Sequence, residues 1–476
     1  MHGRCPVLTK SSWRLVLVSM LATQVVGFLL MVGFSPRPDI ESSVYVKAEF
    51  PAIQPHPDHL SMTSASSHAS SAKDLFRESN FPPGSVARGP SADIPQVLAG
   101  EALDDAVIAL YKQRVSERNR RLVILNEAKF GAVSPSDVVI VVQVHRRVRE
   151  LELFLSGLAK ARGVESSLLI VSMDYITPGL ENIIGNITFC RVLPIYFPHS
   201  IQLHPREFPG TDPHDCKPSL SRQEAEVAGC GNAGNPDSYG HYRDAGITAT
   251  KHHWWWKCAF VFDRIPALHN HTGFKLFVEE DHYLAPDFLH VLNLMEKSSI
   301  EDKRNVDFFS LGRQRKKLGK GDRVRFSKIS NGDFSQFEAG MWNSAVYNMG
   351  FAFKRTVWTT VKSCAQVFCT YDDYNWDWTL FHLGKSCRNT PFEVMAALAP
   401  RVYHFGMCGV HFKMKNCNPA DALTEYIQFL DGNRYKQFPT GITSIVPVAR
   451  MRRNVKPFGG WGDRRDVQQC MSFIGS

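Results

Sequence analysis

The segment FVEEDHYLAPDF, residues 277–288, contains three consecutive acidic residues: Glu279, Glu280 and Asp281. They follow a short apolar run, which places them directly after a buried strand. Burying several negative charges together is costly unless a cation compensates them. Carboxylate oxygens suit magnesium or manganese, and such a metal can bridge to a diphosphate. The segment therefore predicts a divalent metal site, and a solvated acidic turn is the alternative.

A second acidic segment, TYDDYNWDWTL at residues 370–380, mixes aspartates with aromatic residues. Asp373 and Asp377 are four residues apart and would share a face if both lay on one helix. An aspartate enclosed by Trp376 and Trp378 would have its charged form disfavoured by desolvation, which raises its basicity. Such a carboxylate suits a general base for a sugar hydroxyl. A helix-capping or surface role is the alternative.

The segment KHHWWWK, residues 251–257, contains three adjacent tryptophans. Three adjacent side chains cannot all point to one face of a helix or strand, so at least part of the cluster should pack in the core. Lys251, His252 and His253 could then contact a phosphate or a base. Core or surface histidines without a ligand are the alternative.

The segment RVYHFGMCGVHFKMKNC, residues 401–417, combines histidines with cysteines. His404, Cys408, His411 and Cys417 could form a zinc site, but a Cys408–Cys417 disulfide is favoured in an oxidising compartment. His404 is then free for metal ligation or core packing. The basic stretch Arg313–Arg325 is most simply a solvated loop, and contact with a diphosphate is the alternative.

The elements that position these residues are short apolar runs that alternate with segments of helical period. This alternation predicts an α/β domain with a largely parallel sheet. The runs Val138–Val144, Leu168–Met173 and Lys275–Val278 end, respectively, in His145, in Asp174 and in the acidic triplet. Ligands of open α/β sheets bind outside the carboxyl ends of the strands, so these residues are predicted to line one crevice.

The N-terminal part of the chain predicts a membrane anchor. Leu15–Phe34 is an uncharged apolar run about as long as a bilayer-spanning helix needs, and basic residues precede it. The positive-inside bias then places the N-terminus in the cytosol. A cleaved signal peptide is the alternative. The predicted divisions are a cytosolic tail (1–14), a signal-anchor helix (15–34), a flexible lumenal stem (35–102) and a catalytic domain (103–476) that opens with a helical pattern.

Composition and cysteine usage agree with a lumenal protein of ordinary globular character. The 476 residues are 44% hydrophobic and 21% charged, and the eleven cysteines suit an oxidising lumen. Two sequons predict N-glycosylation at Asn186 and Asn270. The net charge of +9 is spread along the chain without a nucleic-acid-binding module, so no nucleic-acid partner is expected. An anionic small substrate explains the basic character equally well.

Together these segments resemble the GnT-II family of mannosyl-glycoprotein beta-1,2-N-acetylglucosaminyltransferases from about Val138 to Asp466. The long motifs that carry the resemblance occur in one order: QVH (143–145), FPGTDPHDC (208–216), PDSYGHYRDA (236–245), TKHHWWWK (250–257), EEDHYLAPDF (279–288), CTYDDYNWDWTL (369–380) and GGWGDRRD (459–466).

The resemblance implies a GT-A fold with a Rossmann-like nucleotide-sugar-binding domain, held in the Golgi membrane as a single-pass type II protein. The implied activity is an inverting transfer of GlcNAc from UDP-GlcNAc, with Mn²⁺, to the alpha-1,6-arm mannose of N-glycans on glycoproteins. Asp281 and His404 would ligate the metal, and Asp377 would be the base. The implied donor site comprises Gln143, Val144, His145, Arg146, Arg147, Asp174, Ala249, Thr250, Lys251, His252 and His253.

The resemblance also implies a disulfide pattern, and the chain departs from the family in three features, the first being that a close-spaced cysteine pair that members can carry after the metal motif is absent. The implied pairs are Cys216–Cys230, Cys364–Cys387, Cys369–Cys470 and Cys408–Cys417. Cys5 would be cytosolic, and Cys190 and Cys258 would be buried thiols. Ala249 stands where the family favours a polar residue, and the chain after Gly312 diverges with an inserted basic loop.

Three other functions compete with this interpretation. The sister enzyme that acts on the alpha-1,3 arm shares the anchor, fold, metal and donor, but its acidic motif reads EDD. A membrane-anchored lectin would bind glycans without catalysis, and intact candidate residues for metal and base argue against it. A glycosidase would need paired carboxylates and no nucleotide pocket. The sequence leaves the oligomeric state open, a homo-oligomer included.

Overall fold

The computed structural model describes residues 104–313, 333–406, 419–448 and 456–475. The predicted tail, anchor and stem lie outside these residues. Within the described ranges, none of the helices combines the length and the apolar character that a membrane span requires.

The described residues form twelve α-helices and eleven β-strands. The helices are α1 (Asp105–Arg121), α2 (Glu127–Phe130), α3 (Val148–Leu158), α4 (Pro178–Gly185), α5 (Arg222–Ala228), α6 (Ala245–Asp263), α7 (Phe288–Glu301), α8 (Arg355–Ser363), α9 (Ala365–Thr370), α10 (Trp376–Ser386), α11 (Pro419–Gly432) and α12 (Arg464–Gly475). The strands are β1 (Val139–Val144), β2 (Leu168–Met173), β3 (Arg191–Tyr196), β4 (Lys275–Glu279), β5 (His282–Leu284), β6 (Phe308–Ser310), β7 (Gln336–Met341), β8 (Phe351–Phe353), β9 (Glu393–Ala397), β10 (Val402–His404) and β11 (Ser444–Pro447).

Nine strands form one sheet in the order β11-β7-β9-β6-β8-β4-β1-β2-β3. The four strands β4, β1, β2 and β3 are parallel, and Val141 of β1 lies opposite Ile170 of β2 and Phe277 of β4. Strand β8 runs antiparallel to β4 and β6, and β7 runs antiparallel to β9. The α/β class and the largely parallel sheet are confirmed, because five of the eight pairings are parallel.

Parallel strands that are covered on both faces consist of nearly continuous apolar residues, as the run VIVVQV of β1 does. Helices α3 and α7 pack on one face through residues such as Phe154 and Leu292. Helix α6 lies on the other face. Its tryptophans Trp254, Trp255 and Trp256 are all buried, since the helix is surrounded by the sheet and by α8, α9, α10 and α12. The prediction that the tryptophan cluster packs in the core is confirmed.

Three disulfides stabilise this second layer and a neighbouring loop. Cys364–Cys387 joins the α8–α9 junction to the end of α10, Cys369–Cys470 joins α9 to α12, and Cys216–Cys230 closes the loop around α5. Cys190 and Cys258 are free and buried, and burial raises the pKa of the Cys190 thiol to about 12. The fourth implied pair, Cys408–Cys417, lies outside the described residues.

Candidate active site

The carboxyl ends of β1, β2 and β4 meet at one edge of the sheet because these strands are parallel neighbours. His145, which follows β1, donates from Nδ1 to Asp174 Oδ1 of the segment after β2 at 2.6 Å. Its backbone N–H donates to Glu280 Oε2 of the segment after β4 at 2.8 Å. Polar residues from three distant parts of the sequence therefore meet at one edge of the sheet, the edge at which open α/β sheets bind ligands.

The acidic segment is held by a second, two-stranded sheet. Immediately after β4 the chain turns into β5, which pairs antiparallel with β10, so that His282 lies opposite His404. The backbone N–H of Phe405 donates to the carbonyl of Asp281 at 3.0 Å. This pairing places His404 Nε2 3.1 Å from Asp281 Oδ2, although 123 positions separate them.

Asp281 is almost fully buried, at 3% exposure, and carries unequal partners on its two oxygens. His404 and the guanidinium of Arg147 both contact Oδ2, whereas the buried Oδ1 has no hydrogen-bond partner among the described residues. Burial opposes ionisation, but the hydrogen bond with His404 and the charge of the Arg147 guanidinium hold the pKa of Asp281 well below its usual range. The side chain is thus an ionised carboxylate with one uncommitted oxygen.

The residues around Asp281 fit a divalent cation. Ligand atoms of Glu279, Asp281 and His282 lie within 4.8 Å of one another. Carboxylate oxygens and neutral imidazole nitrogens are suitable ligands for Mn²⁺, and burial lowers the pKa of His282 to about 3, so its ring is neutral. Such an ion would also satisfy the unpartnered Oδ1 of Asp281. A Cβ at Gly406 would overlap the Asp281 carboxylate, so this neighbour must be glycine.

Asp377 lies in the first turn of α10, which begins at Trp376. Its Oδ2 accepts a hydrogen bond from Asn348 Nδ2 at 3.0 Å. Burial raises the pKa of Asp377 to about 6, although the hydrogen bonds from the Trp378 backbone and from Asn348 oppose the rise. The carboxylate is therefore more basic than an ordinary aspartate, which suits a general base.

The antiparallel strand β8 brings Asp377 to the crevice. Phe351 of β8 lies opposite Phe277 of β4, so the residues before β8 extend towards the carboxyl end of β4. Asn348 lies three positions before β8 and holds Asp377 through its amide. The candidate base and the acidic segment that follows β4 are therefore located at the same edge of the sheet.

Comparison with known proteins identifies the family. The model of the family described as N-acetylglucosaminyltransferase II (MGAT2) matches residues 112–470. The human protein named alpha-1,6-mannosyl-glycoprotein 2-beta-N-acetylglucosaminyltransferase is 39% identical over 414 residues, which cover 85% of this chain and 87% of the human protein. The chain belongs to the N-acetylglucosaminyltransferase II family.

Other relatives extend this similarity to more distant organisms. The rat protein of the same name is 40% identical over 78% of this chain and 81% of its own length. The Arabidopsis thaliana protein of that name is 28% identical over 73% of this chain and 77% of its own length. The alignment with a crystal structure of S. aureus TarS covers 62% of this chain and 72% of the TarS chain, with 11% sequence identity and a TM-score of 0.26. This similarity is too weak to establish a shared fold.

The residues in and directly after β1 that were expected at the donor site of an N-acetylglucosaminyltransferase II lie in different environments. Val144 is fully buried in the sheet, whereas Gln143 Oε1 accepts a hydrogen bond from Lys257 Nζ at 2.7 Å. Arg146 lies over the ring of Tyr175 with 4.1 Å between the guanidinium carbon and the ring centroid. The residues thus share one edge of the sheet but differ in burial and in their partners.

Helix α6 supports the crevice through His253. Its Nε2 lies 2.8 Å from Ser172 Oγ, and its Nδ1 lies 3.6 Å from Asp174 Oδ2. Burial opposes ionisation of Asp174, but its hydrogen bond with His145 and the nearby ring of His253 hold its pKa well below the usual range. His253 therefore fixes an anionic Asp174 from the buried side.

The preceding residues of α6 make other contacts. Lys251 Nζ donates to the carbonyls of Asp373 at 2.8 Å and Tyr371 at 3.2 Å, and His252 Nε2 lies 2.8 Å from Asp466 Oδ1. Lys251 and His252 are buried, so their polar ends face the loop before α10 and helix α12 and not the strand ends. Successive residues of a helix point in directions about 100° apart, which is why only one of the two histidines faces Asp174.

The two remaining α6 residues predicted at the donor site are Ala249, which is half-buried, and Thr250, which is exposed. Thr250 Oγ1 donates to the carbonyl of Ile247 at 2.7 Å within the helix. The structure does not bring either residue into contact with the strand-end crevice residues named above. Their donor role stays a prediction.

Asp373 and Asp377 do not lie on one helix, so the condition for their sharing a helical face is not met. Asp373 lies before the start of α10, and its carboxylate accepts hydrogen bonds from Asn375 and from the backbone of Phe458. Helix α10 begins only at Trp376, after the turn that these hydrogen bonds stabilise. Asp373 therefore holds the loop against the C-terminal segment.

The sequence analysis missed two residues of the site, because it assigned the chemistry of each motif to other residues. His282 directly follows the acidic triplet, and Lys257 ends the tryptophan segment. His282 is buried beside the acidic segment, and Lys257 donates a hydrogen bond to Gln143. Both features become visible only in the folded structure. The adjacency of His282 to Asp281 was the available signal.

Several other predicted features can be placed only in part. Arg313, at the start of the basic stretch, pairs with Glu338 at 2.8 Å, and the rest of that stretch lies outside the described residues, as does His411. Asn270 is exposed, and Asn186 is half-buried with its Nδ2 3.4 Å from Asn182 Oδ1. Glycosylation at both sequons stays a prediction.

Proposed function

We propose that this protein transfers N-acetylglucosamine from UDP-GlcNAc in beta-1,2 linkage to the alpha-1,6-arm mannose of the N-glycan core, a step in complex N-glycan synthesis. The carrying observation is that the family match over residues 112–470 contains the complete strand-end crevice with Asp281, His404 and Asp377. Membership of the N-acetylglucosaminyltransferase II family makes the protein an enzyme of the glycosyltransferase class. The mixed sheet with its crevice at the strand ends supports a GT-A type fold.

The donor half of the crevice is proposed to bind Mn²⁺ and the diphosphate of UDP-GlcNAc. Asp281 and His404 would hold the metal, with Glu279 and His282 close enough to contribute. A bound divalent ion neutralises the charge that develops on a departing diphosphate. His145, Arg147 and Asp174 line the same edge and supply charged and hydrogen-bonding groups to the donor.

Asp377 is proposed to act as the general base. Its carboxylate takes the proton of the mannose 2-hydroxyl while the oxygen attacks the anomeric carbon of GlcNAc. The new carbon–oxygen bond forms as the bond to UDP breaks, so the anomeric configuration inverts without a covalent enzyme intermediate. Asn348 orients the carboxylate through its amide N–H.

The compartment is also a proposal. A cytosolic tail, a signal-anchor at Leu15–Phe34 and a lumenal stem would place the catalytic domain in the Golgi lumen. The three disulfides of the described residues support an oxidising compartment. Protease protection of sealed Golgi vesicles is expected to spare the catalytic domain, and its digestion without detergent would contradict the topology.

The test is a transfer assay with the full-length protein in detergent, UDP-GlcNAc and Mn²⁺. One acceptor is an N-glycan core that already carries GlcNAc on the alpha-1,3 arm, and the other lacks it. Chelator-sensitive transfer to the alpha-1,6-arm mannose of the first acceptor supports the proposal. Transfer only to the alpha-1,3 arm of the second would instead assign the sister activity, and glycan binding without transfer would indicate a lectin.

A further inference from the structure

Arg147 is located where it can affect both the metal and the donor. It is the residue immediately before α3, and its side chain is 31% exposed at the edge of the crevice. Its guanidinium pairs with Asp281 Oδ2, and its Nε lies 3.9 Å from Glu280 Oε1. Asp281 Oδ2 is also the oxygen that His404 contacts at 3.1 Å.

We propose that Arg147 and a divalent cation compete for Asp281, so that binding of the cation releases Arg147 to the diphosphate of the nucleotide sugar. This inference rests on the proposed function, in which Asp281 and His404 hold the cation. A dication on the Asp281 carboxylate would lie close to the guanidinium, and the repulsion between two positive charges at that distance is large in a buried site. Arg147 on Oδ2 and a cation on the unpartnered Oδ1 would therefore oppose each other across one carboxylate.

The released guanidinium is suited to the donor. Its planar donors match phosphate oxygens in a two-point geometry, and its partial exposure allows it to turn into the crevice. Glu280 retains its backbone partner at His145, so the strand ends stay joined when Arg147 leaves. The cation then raises the affinity for the donor, and the donor raises the affinity for the cation by the same factor, because both depend on the movement of Arg147.

The direct test is a titration of the full-length protein in detergent with Mn²⁺ alone, followed by electron paramagnetic resonance of the free ion. In R147Q, Asp281 loses its competing cation, and the affinity for Mn²⁺ is expected to rise roughly tenfold. The matched control is R149Q, which removes a nearby positive charge that pairs with Glu152 at 2.6 Å and is expected to match the wild type. D281N is expected to lose the binding.

A second titration with UDP tests the release. In the wild type, UDP is expected to tighten Mn²⁺ binding by a larger factor than in R147Q, because only the wild type gains the contact of Arg147 with the diphosphate. R147M, the second neutral variant, replaces R147Q if that variant does not fold.

The outcomes separate this inference from the proposed function. Equal Mn²⁺ affinity in the wild type and R147Q, with loss in D281N, would overturn the competition and leave the metal site in place. An equal rise in R149Q would reduce the effect to general electrostatics and also overturn it. Absence of Mn²⁺ binding in every form would overturn the metal assignment and the competition with it.

Discussion

Asp281 and Asp377 are two shielded carboxylates at one edge of the sheet, and their pKa values are shifted in opposite directions. Burial disfavours the charged form of both. Asp281 pairs with the guanidinium of Arg147 and is hydrogen-bonded to His404, and these contacts more than offset that cost. The hydrogen-bond donors that the described residues offer to Asp377 are neutral, so burial prevails and raises its pKa to about 6. The partners of a carboxylate, and not its burial alone, therefore determine that Asp281 suits a cation and Asp377 suits a proton.

The largest effect is expected from removing the base. Asp377→Asn keeps the shape and the contact to Asn348 but cannot accept a proton, so the transfer rate should fall about 10²–10⁴-fold. Initial rates of GlcNAc transfer at saturating donor measure this. Asp302→Asn is the matched control, since Asp302 is exposed and its Oδ2 accepts a hydrogen bond from Arg304 at 3.0 Å. Near-normal turnover in Asp377→Asn would assign the base elsewhere.

Removing the carboxylate of Asp281 should weaken binding of the donor and leave proton removal from the acceptor unaffected. Asp281→Ala deletes the central anionic ligand, so Mn²⁺ should no longer strengthen UDP-GlcNAc binding, and we expect the loss to be on the order of 100-fold in affinity. Calorimetric titration with and without Mn²⁺ measures it. Donor affinity that stays metal-dependent in this variant would move the metal site away from Asp281.

The pH dependence of transfer should report Asp377. Because the base must be ionised, and its pKa is raised to about 6, turnover should increase as the pH rises through about 6 and be lost below that value. Asp281 should not contribute a limb in this range, since its pKa lies well below its ordinary value. A rate that is unchanged between pH 5 and pH 7 (roughly one unit to either side of that pKa) would contradict the assignment.

The smallest effect is expected from the neutral partner of the base. Asn348→Ala removes a hydrogen bond that favours ionised Asp377, so the acidic limb of the pH profile should move upwards by about half to one pH unit. The pH dependence of turnover distinguishes this shift from a general loss of activity. A lower rate with an unmoved limb would mean that Asn348 acts only in packing.

The sequence predicted the strand ends well and the long-range contacts poorly. The apolar runs placed His145, Asp174 and the acidic triplet after strands, because the period and length of a buried strand are local properties. The helical pattern after residue 103 likewise corresponds to α1. The meeting of His404 with Asp281 depends on the pairing of β10 with β5, which no local pattern specifies, and it was expected only from the family resemblance.

The helix containing Asp377 illustrates a different limit. Spacing alone made Asp373 and Asp377 equivalent, but the backbone bonds to Asp373 stabilise a turn, and α10 begins only after it. In α6 the same uncertainty concerned His252 and His253, whose neighbours in space are Asp466 and Asp174. Which of two adjacent polar residues reaches a site depends on the packing of the surrounding elements.

The division of labour between the two carboxylates is tested most directly by the UDP-GlcNAc affinity of Asp377→Asn, measured by calorimetry in the presence of Mn²⁺. We expect the donor affinity of Asp377→Asn to equal that of the wild type, because Asp377 only accepts the proton of the acceptor hydroxyl. A loss of metal-dependent donor binding like that expected for Asp281→Ala would contradict it, since Asp377 would then belong to the donor site.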